Sequence, residues 1–150
     1  MMRRFRLLRG LWVKDRRGLA ALEFAIVAPA LLLVVFGGTE CGIVLSEYFT
    51  LTNAVGAGAM QFAFSAGVDA TPYTDAVSAI TTTAPNLTPL TITLSVNGTT
   101  CTSDATCTTA LASGTGYVTV KAAYSCVASQ VIYVVIPNCT LTAQTTERVQ

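Results

Sequence analysis

The chain has 150 residues, 52% of them apolar and 11% charged, and it contains no histidine. That length holds one domain and a membrane segment rather than two large domains. The lack of histidine excludes every His-based triad or dyad.

Charge is divided unevenly along the chain. Residues 1–17 carry seven Lys/Arg against Asp15, a net of +6, whereas from residue 18 onward only Lys121 and Arg148 oppose seven acids, a net of −5. A basic head faces either nucleic acid or the cytoplasmic side of a membrane. The apolar run that follows it decides for the membrane and against a nucleic-acid arm. Phe24 to Thr39 contains no charge, and the stretch continues past Glu40 to Leu45. A helix needs roughly 20 residues to cross the hydrocarbon core, so a span over about 24–45 is predicted. The basic flank orients the N-terminus to the cytoplasm and residues beyond about 46 to the outside. A cleaved secretory signal has an h-region of about 7–15 residues. Here the apolar stretch is longer and contains Glu23 and Pro29, which fits a signal anchor better.

The predicted organisation is a basic leader over 1–18, a long helix over 19–68 and a small α+β domain over 69–150. Beyond the span, Leu51, Val55, Gly58 and Phe62 recur at helical spacing and mark one packed face. Gly56, Ala57, Gly58 and Ala59 form a small-residue run that lets another helix approach closely. A short second helix is expected over 71–85, with Thr71 as its N-cap, Pro72 at its first position and Pro85 as its stop. Ala76, Val77 and Ile80 supply its apolar side.

Residues 91–96 alternate strictly and place Ile92, Leu94 and Val96 on one strand face. Asn97-Gly98 reads as a hairpin turn. A Thr/Ser/Gly-rich excursion to Gly116 follows. Residues 117–126 alternate again, with Val118, Val120, Ala122 and Tyr124 together. Residues 131–136 are β-branched and suit a buried segment of either kind, and 140–149 suit a last strand. The whole is a small antiparallel sheet whose apolar face covers a helix. Residues 71–150 hold 20 Thr and five charged residues, a surface expected either to be covered by partners or to be a solvated, Thr-rich exterior.

Glu23 is the residue that most demands a role, because an ionisable group inside an apolar span is expensive and marks function. Its expected partner is the amine of Leu19, which exists only if the chain is cut after Gly18. The competing reading is a hydrated carboxylate near the cytoplasmic interface. Glu40 and Glu47 lie near one helix face and read as residues of the outer membrane boundary. Cys41 reads as a small packing residue. Cys101, Cys107, Cys126 and Cys139 all fall in the exported domain, and four Cys allow three pairings. Local spacing favours Cys101–Cys107 and Cys126–Cys139 over a zinc site, which lacks C-x-x-C spacing and histidine. No cofactor site and no paired-carboxylate or phosphate-binding motif stands out.

The run Arg16-Arg17-Gly18-Leu19-Ala-Ala-Leu-Glu23-Phe24-Ala-Ile-Val-Ala-Pro29-Ala-Leu-Leu-Leu resembles the TadE-like minor pseudopilin family of the Tad (tight adherence) pilus systems of bacteria and archaea. Leu51-Thr-Asn53-Ala-Val-Gly-Ala-Gly-Ala59 is a weaker second match, and Tyr124 with the terminal Leu141–Arg148 stretch a third. The resemblance implies cleavage between Gly18 and Leu19 by a prepilin peptidase. It implies assembly with other pilin and pseudopilin subunits through the helix bearing Glu23, Phe24 and Pro29, and a non-enzymatic role in a Flp-type pilus. The family often carries Arg near the small-residue run, where this chain has Gly58-Ala59-Met60. The major Flp pilin is little more than the processed helix, and TadG-like members are much larger. The alternative is a signal-anchored bitopic envelope protein whose periplasmic domain binds a ligand or partner.

Overall fold

The computed structural model describes residues 16–126 and 139–149. The elements in order are α1 (Arg16–Phe64), α2 (Pro72–Thr83), β1 (Leu90–Val96), β2 (Thr99–Cys101), α3 (Asp104–Leu111), β3 (Tyr117–Ser125) and β4 (Thr140–Arg148). The chain divides into two compact units, residues 1–39 and 40–150. This is an α+β architecture: a long apolar N-terminal helix, short helices and a small antiparallel sheet. The expected segment at 131–136 lies outside the described residues.

The described part of the first unit is helical throughout. Helix α1 continues through Pro29, although proline removes one backbone donor and crowds the preceding turn. The apolar side chains here are exposed on every side, among them Leu22, Phe24, Ile26, Leu31, Leu33 and Val34. A helix that is apolar all round belongs in a membrane or in the centre of an assembly.

The second unit holds the core. Leu51, Ala54, Val55, Ala59 and Phe62 on α1 are fully buried, the spacing of one helical face. Helix α1 ends at Phe64, four residues before the expected Val68. Gly67 adopts φ +72° and Asp69 N–H donates to the Ser65 carbonyl at 3.3 Å. A left-handed glycine just past the last turn is a common helix terminator.

Helix α2 packs onto α1 at Gly58. A β-carbon added there would collide with the Ile80 side chain and come within 3.2 Å of the Ala76 carbonyl oxygen. Ile80 and Ala76 are fully buried, so neither has room to retreat. Gly56 has nothing within 4 Å of the same position. Only part of the small-residue run therefore serves close approach.

The sheet order is β2-β1-β3-β4, and each neighbouring pair is antiparallel. Leu94, Val96, Val118, Val120, Ala122, Tyr124 and Ala143 are buried from the sheet side and join Leu51, Val55, Phe62 and Ile80 in one cluster. The β1–β2 turn is Asn97-Gly98, with φ +49° and +84°, the left-handed pair that a tight two-residue hairpin requires. Asn97 Oδ1 also accepts from the Tyr117 N–H at 2.9 Å, which ties the turn to β3.

The expected loop between Gly98 and Gly116 contains β2 and α3. Helix α3 is Thr-rich and only eight residues long, a poor helix former by propensity. Local contacts compensate. Ser103 and Thr106 form a reciprocal capping box, and the Cys101–Cys107 disulfide fastens α3 to β2. The second disulfide is Cys126–Cys139. Under the loop-entropy model, small loops of this kind contribute about 2–3 kcal/mol each.

Gly58→Ala should lower the unfolding free energy by up to about 2 kcal/mol, because overpacking costs about 1–3 kcal/mol, the rigid Ala76 carbonyl puts this site toward the upper end, and the helix-propensity gain offsets only about 1 kcal/mol. Gly56→Ala, made in open space, should be neutral or stabilising. Denaturant unfolding of the two variants in detergent checks the opposite signs.

Candidate processing and assembly site

Gly18 and Leu19 lie in α1. Glu23 follows four residues later, on the same face. Helical side chains lean toward the N-terminus, so the Glu23 carboxylate leans toward the Leu19 backbone nitrogen. Glu23 is exposed, and its neighbour Phe24 is 69% exposed.

The helix then presents an apolar surface with few polar interruptions. It is long and apolar enough to cross a membrane. Thr39 satisfies its hydroxyl by donating to the Val35 carbonyl at 2.9 Å, a back-bond that hides the polar group in the helix itself. Glu40 and Glu47 are half-buried. Cys41, expected as a packing residue, is a free and exposed thiol; no side chain among the described residues closes over that side of the helix.

A shallow hollow of about 440 Å³ opens in the second unit between the turn after α1 and the end of α3, lined by Ser65, Val68, Asp69, Thr108 and Leu111. Among the described residues that line it, Asp69 alone is ionisable. Among the described residues no group of three or more His, Cys, Asp or Glu is placed to hold a metal ion.

The matched family model is described as TadE-like protein and covers residues 18–65. The similarity to that family is thus confined to residues 18–65. No curated protein and no solved structure matches the chain. The TadE-like segment opens on Gly18 and closes on Ser65, one residue beyond α1, and makes up about a third of the chain. It contains Gly18, Leu19, Glu23, Phe24 and Pro29. The sheet lies outside it.

One functional carboxylate of the fold was not visible in the sequence. Thr71 was expected to cap α2, but it makes no cap bond; its hydroxyl donates instead to the Asp75 carboxylate at 2.9 Å. The cap comes from α3. Asp104 accepts from the Thr74 N–H at 2.9 Å and from the Thr74 hydroxyl at 2.6 Å. One carboxylate thus faces the N-terminal ends of two helices, where negative charge is favoured. The only local signal was Ser103-x-x-Thr106, a weaker pattern than the Ser-x-x-Glu form.

The Thr74 hydroxyl and N–H hold the Asp104 carboxyl below its ordinary pKa. A lowered folded-state pKa contributes stability that is fully present above the unfolded value, about 3.9. That contribution is lost as pH falls through the lower folded value. Hydrogen exchange in the first turn of α2 should be faster in Asp104→Asn than in wild type at pH 6. The two should converge as pH falls through the lowered folded-state value of Asp104, since both side chains are then uncharged.

Proposed function

We propose that this chain is a minor pseudopilin, a structural rather than catalytic subunit of a Tad/Flp-type pilus. A prepilin peptidase cuts it between Gly18 and Leu19. The processed helix, anchored in the cytoplasmic membrane with the sheet outside, then joins other pilin-like helices. The observation that carries this reading is a coincidence along one helix. The TadE-like match begins at Gly18, α1 runs unbroken through it, and Glu23 lies four residues after Leu19 on an otherwise apolar surface.

The chemistry is consistent with that sequence of events. Hydrolysis of the Gly18–Leu19 bond would convert an amide into an ammonium and move the helix N-terminus to within about one turn of Glu23. Both changes favour a carboxylate there. Before cleavage the same group has no cation on its own face of the helix within four residues on either side. The amine can be its own or that of a neighbouring helix. Breaking a buried pair by removing one partner costs about 3–5 kcal/mol, enough to fix which helices dock and in what register. The 86 residues after α1 favour a minor subunit over a major pilin.

A photo-crosslinker at Leu32, activated in cells, should join the chain to other subunits with apolar N-terminal helices. In Glu23→Leu the chain should stay in the membrane, but the crosslinked product should fall about tenfold or more, as loss of a buried charge partner implies. Crosslinks of unchanged yield in that variant, or none in wild type, would overturn the reading.

A further inference from the structure

Beyond residue 17 the chain has two cations, Lys121 and Arg148. Both lie on the same side of the sheet. Val118, Val120, Ala122 and Tyr124 of β3 point into the core, so Tyr117, Thr119 and Lys121 point away from it, as strand alternation requires. Arg148 sits directly opposite Tyr117 across the β3–β4 ladder, and Gln144 opposite Lys121. Lys121, Gln144, Thr146 and Arg148 are exposed, and the Tyr117 ring is 59% exposed.

No carboxylate shares this outward face among the described residues. Glu23, Glu40 and Glu47 belong to α1, Asp75 to α2 and Asp104 to α3, and Asp69 precedes α2. Glu147 is opposite buried Val118, so it turns to the core side. Hydroxyls fill the space between the cations. Thr100, Ser95, Thr119 and Thr146 form one row across all four strands, and the Thr119 and Thr146 hydroxyls are 3.0 Å apart.

We propose that this face binds an acidic polysaccharide, one bearing carboxylates on its sugars. An exposed tyrosine ring offers the apolar C–H face of a sugar a surface to stack on. Hydroxyls and the Gln144 amide match sugar hydroxyls, and Arg148 presents the planar fork that grips a carboxylate through two hydrogen bonds. The charge spacing selects among anionic polymers. Lys121 and Arg148 are separated by four residues along the sheet, roughly 14 Å. Double-stranded DNA carries a charge every ~1.7 Å, and anionic membrane surfaces are held by clusters of about 4–8 cations. Two widely spaced cations among hydroxyls suit a sugar chain, whose carboxylates lie at least one sugar ring apart with hydroxyls between them. The inference rests on the sheet alone, and it stands whether or not Gly18–Leu19 is cut.

The test uses the full chain in phosphatidylcholine nanodiscs, with polygalacturonate and neutral dextran as probes. Wild type should bind polygalacturonate but not dextran, and more weakly as salt rises. The double variant Lys121→Gln/Arg148→Gln should lose about tenfold or more in affinity, as expected for charge-assisted bonds. Tyr117→Ser should weaken binding with the charges intact, and Asp75→Asn on α2 should not. All four positions are exposed or half-exposed, so the variants should fold. Affinity unchanged in the double variant, or equal binding of both polymers, would overturn the proposal. So would loss of self-association without loss of polygalacturonate binding, which would make the face a dock for a second copy.

Discussion

The apolar surface of α1 has to be covered by something, and that need governs what the helix can be. Leu22, Phe24, Ile26, Val27, Leu31, Leu32, Leu33, Val34, Val35, Phe36, Ile43 and Leu45 are all at least half exposed. On an insertion scale each such residue favours the bilayer by about 0.3–0.6 kcal/mol, while an acidic residue at the centre of a span opposes it by about 2.5–3.5 kcal/mol. The sum favours insertion despite Glu23. In the proposed assembly the carboxylate does not keep the helix out of the membrane, but it leaves a penalty that a partner would relieve. Lipid covers the apolar atoms and cannot pair the charge. A second helix bearing an amine would do both, and an amine freed at Leu19 of the same chain would pair the charge.

The distal half of α1 meets the same need within the fold. From Leu51 to Phe62 one face of α1 is covered by α2 and the sheet in a single core. The contact is close because Gly58 brings the two helix backbones together with Ile80 filling the space above it. One helix therefore carries two kinds of surface in series. Its C-terminal half is covered inside the second unit, and the apolar side chains of its N-terminal half are exposed. The TadE-like match covers both stretches, which fits a segment whose two halves work together. The sheet is fastened by its own means, a left-handed Asn97-Gly98 turn and two disulfides.

Much of this was legible from residue spacing. Leu51, Val55, Gly58 and Phe62 announced the buried face of α1, and the alternation of Ile92, Leu94 and Val96 and of Val118 through Tyr124 announced β1 and β3. Short sequence separation pointed to both disulfides. Helix α3 was not legible, because a Thr-rich segment with no apolar period carries little helical signal of its own. It is set by the Ser103–Thr106 box and the bond to Cys101. Thr71 and Pro72 do open α2, but the side-chain capping bond was not legible, for a related reason. Thr71 satisfies a local rule, but the donor at Thr74 is taken by Asp104, 30 residues away, and tertiary partners leave no local trace. The proposed processing site stays a sequence pattern, since Gly18, Leu19 and Glu23 would become a constellation only through an event that changes the chain.

That event is the most direct test of the account. The measurement is the N-terminal sequence and intact mass of the membrane-extracted protein, from cells with and without their prepilin peptidase. The account predicts a chain that begins at Leu19 when the peptidase is present and retains residues 1–18 when it is absent. A chain that keeps its basic leader in both strains would contradict it and leave α1 as a permanent anchor.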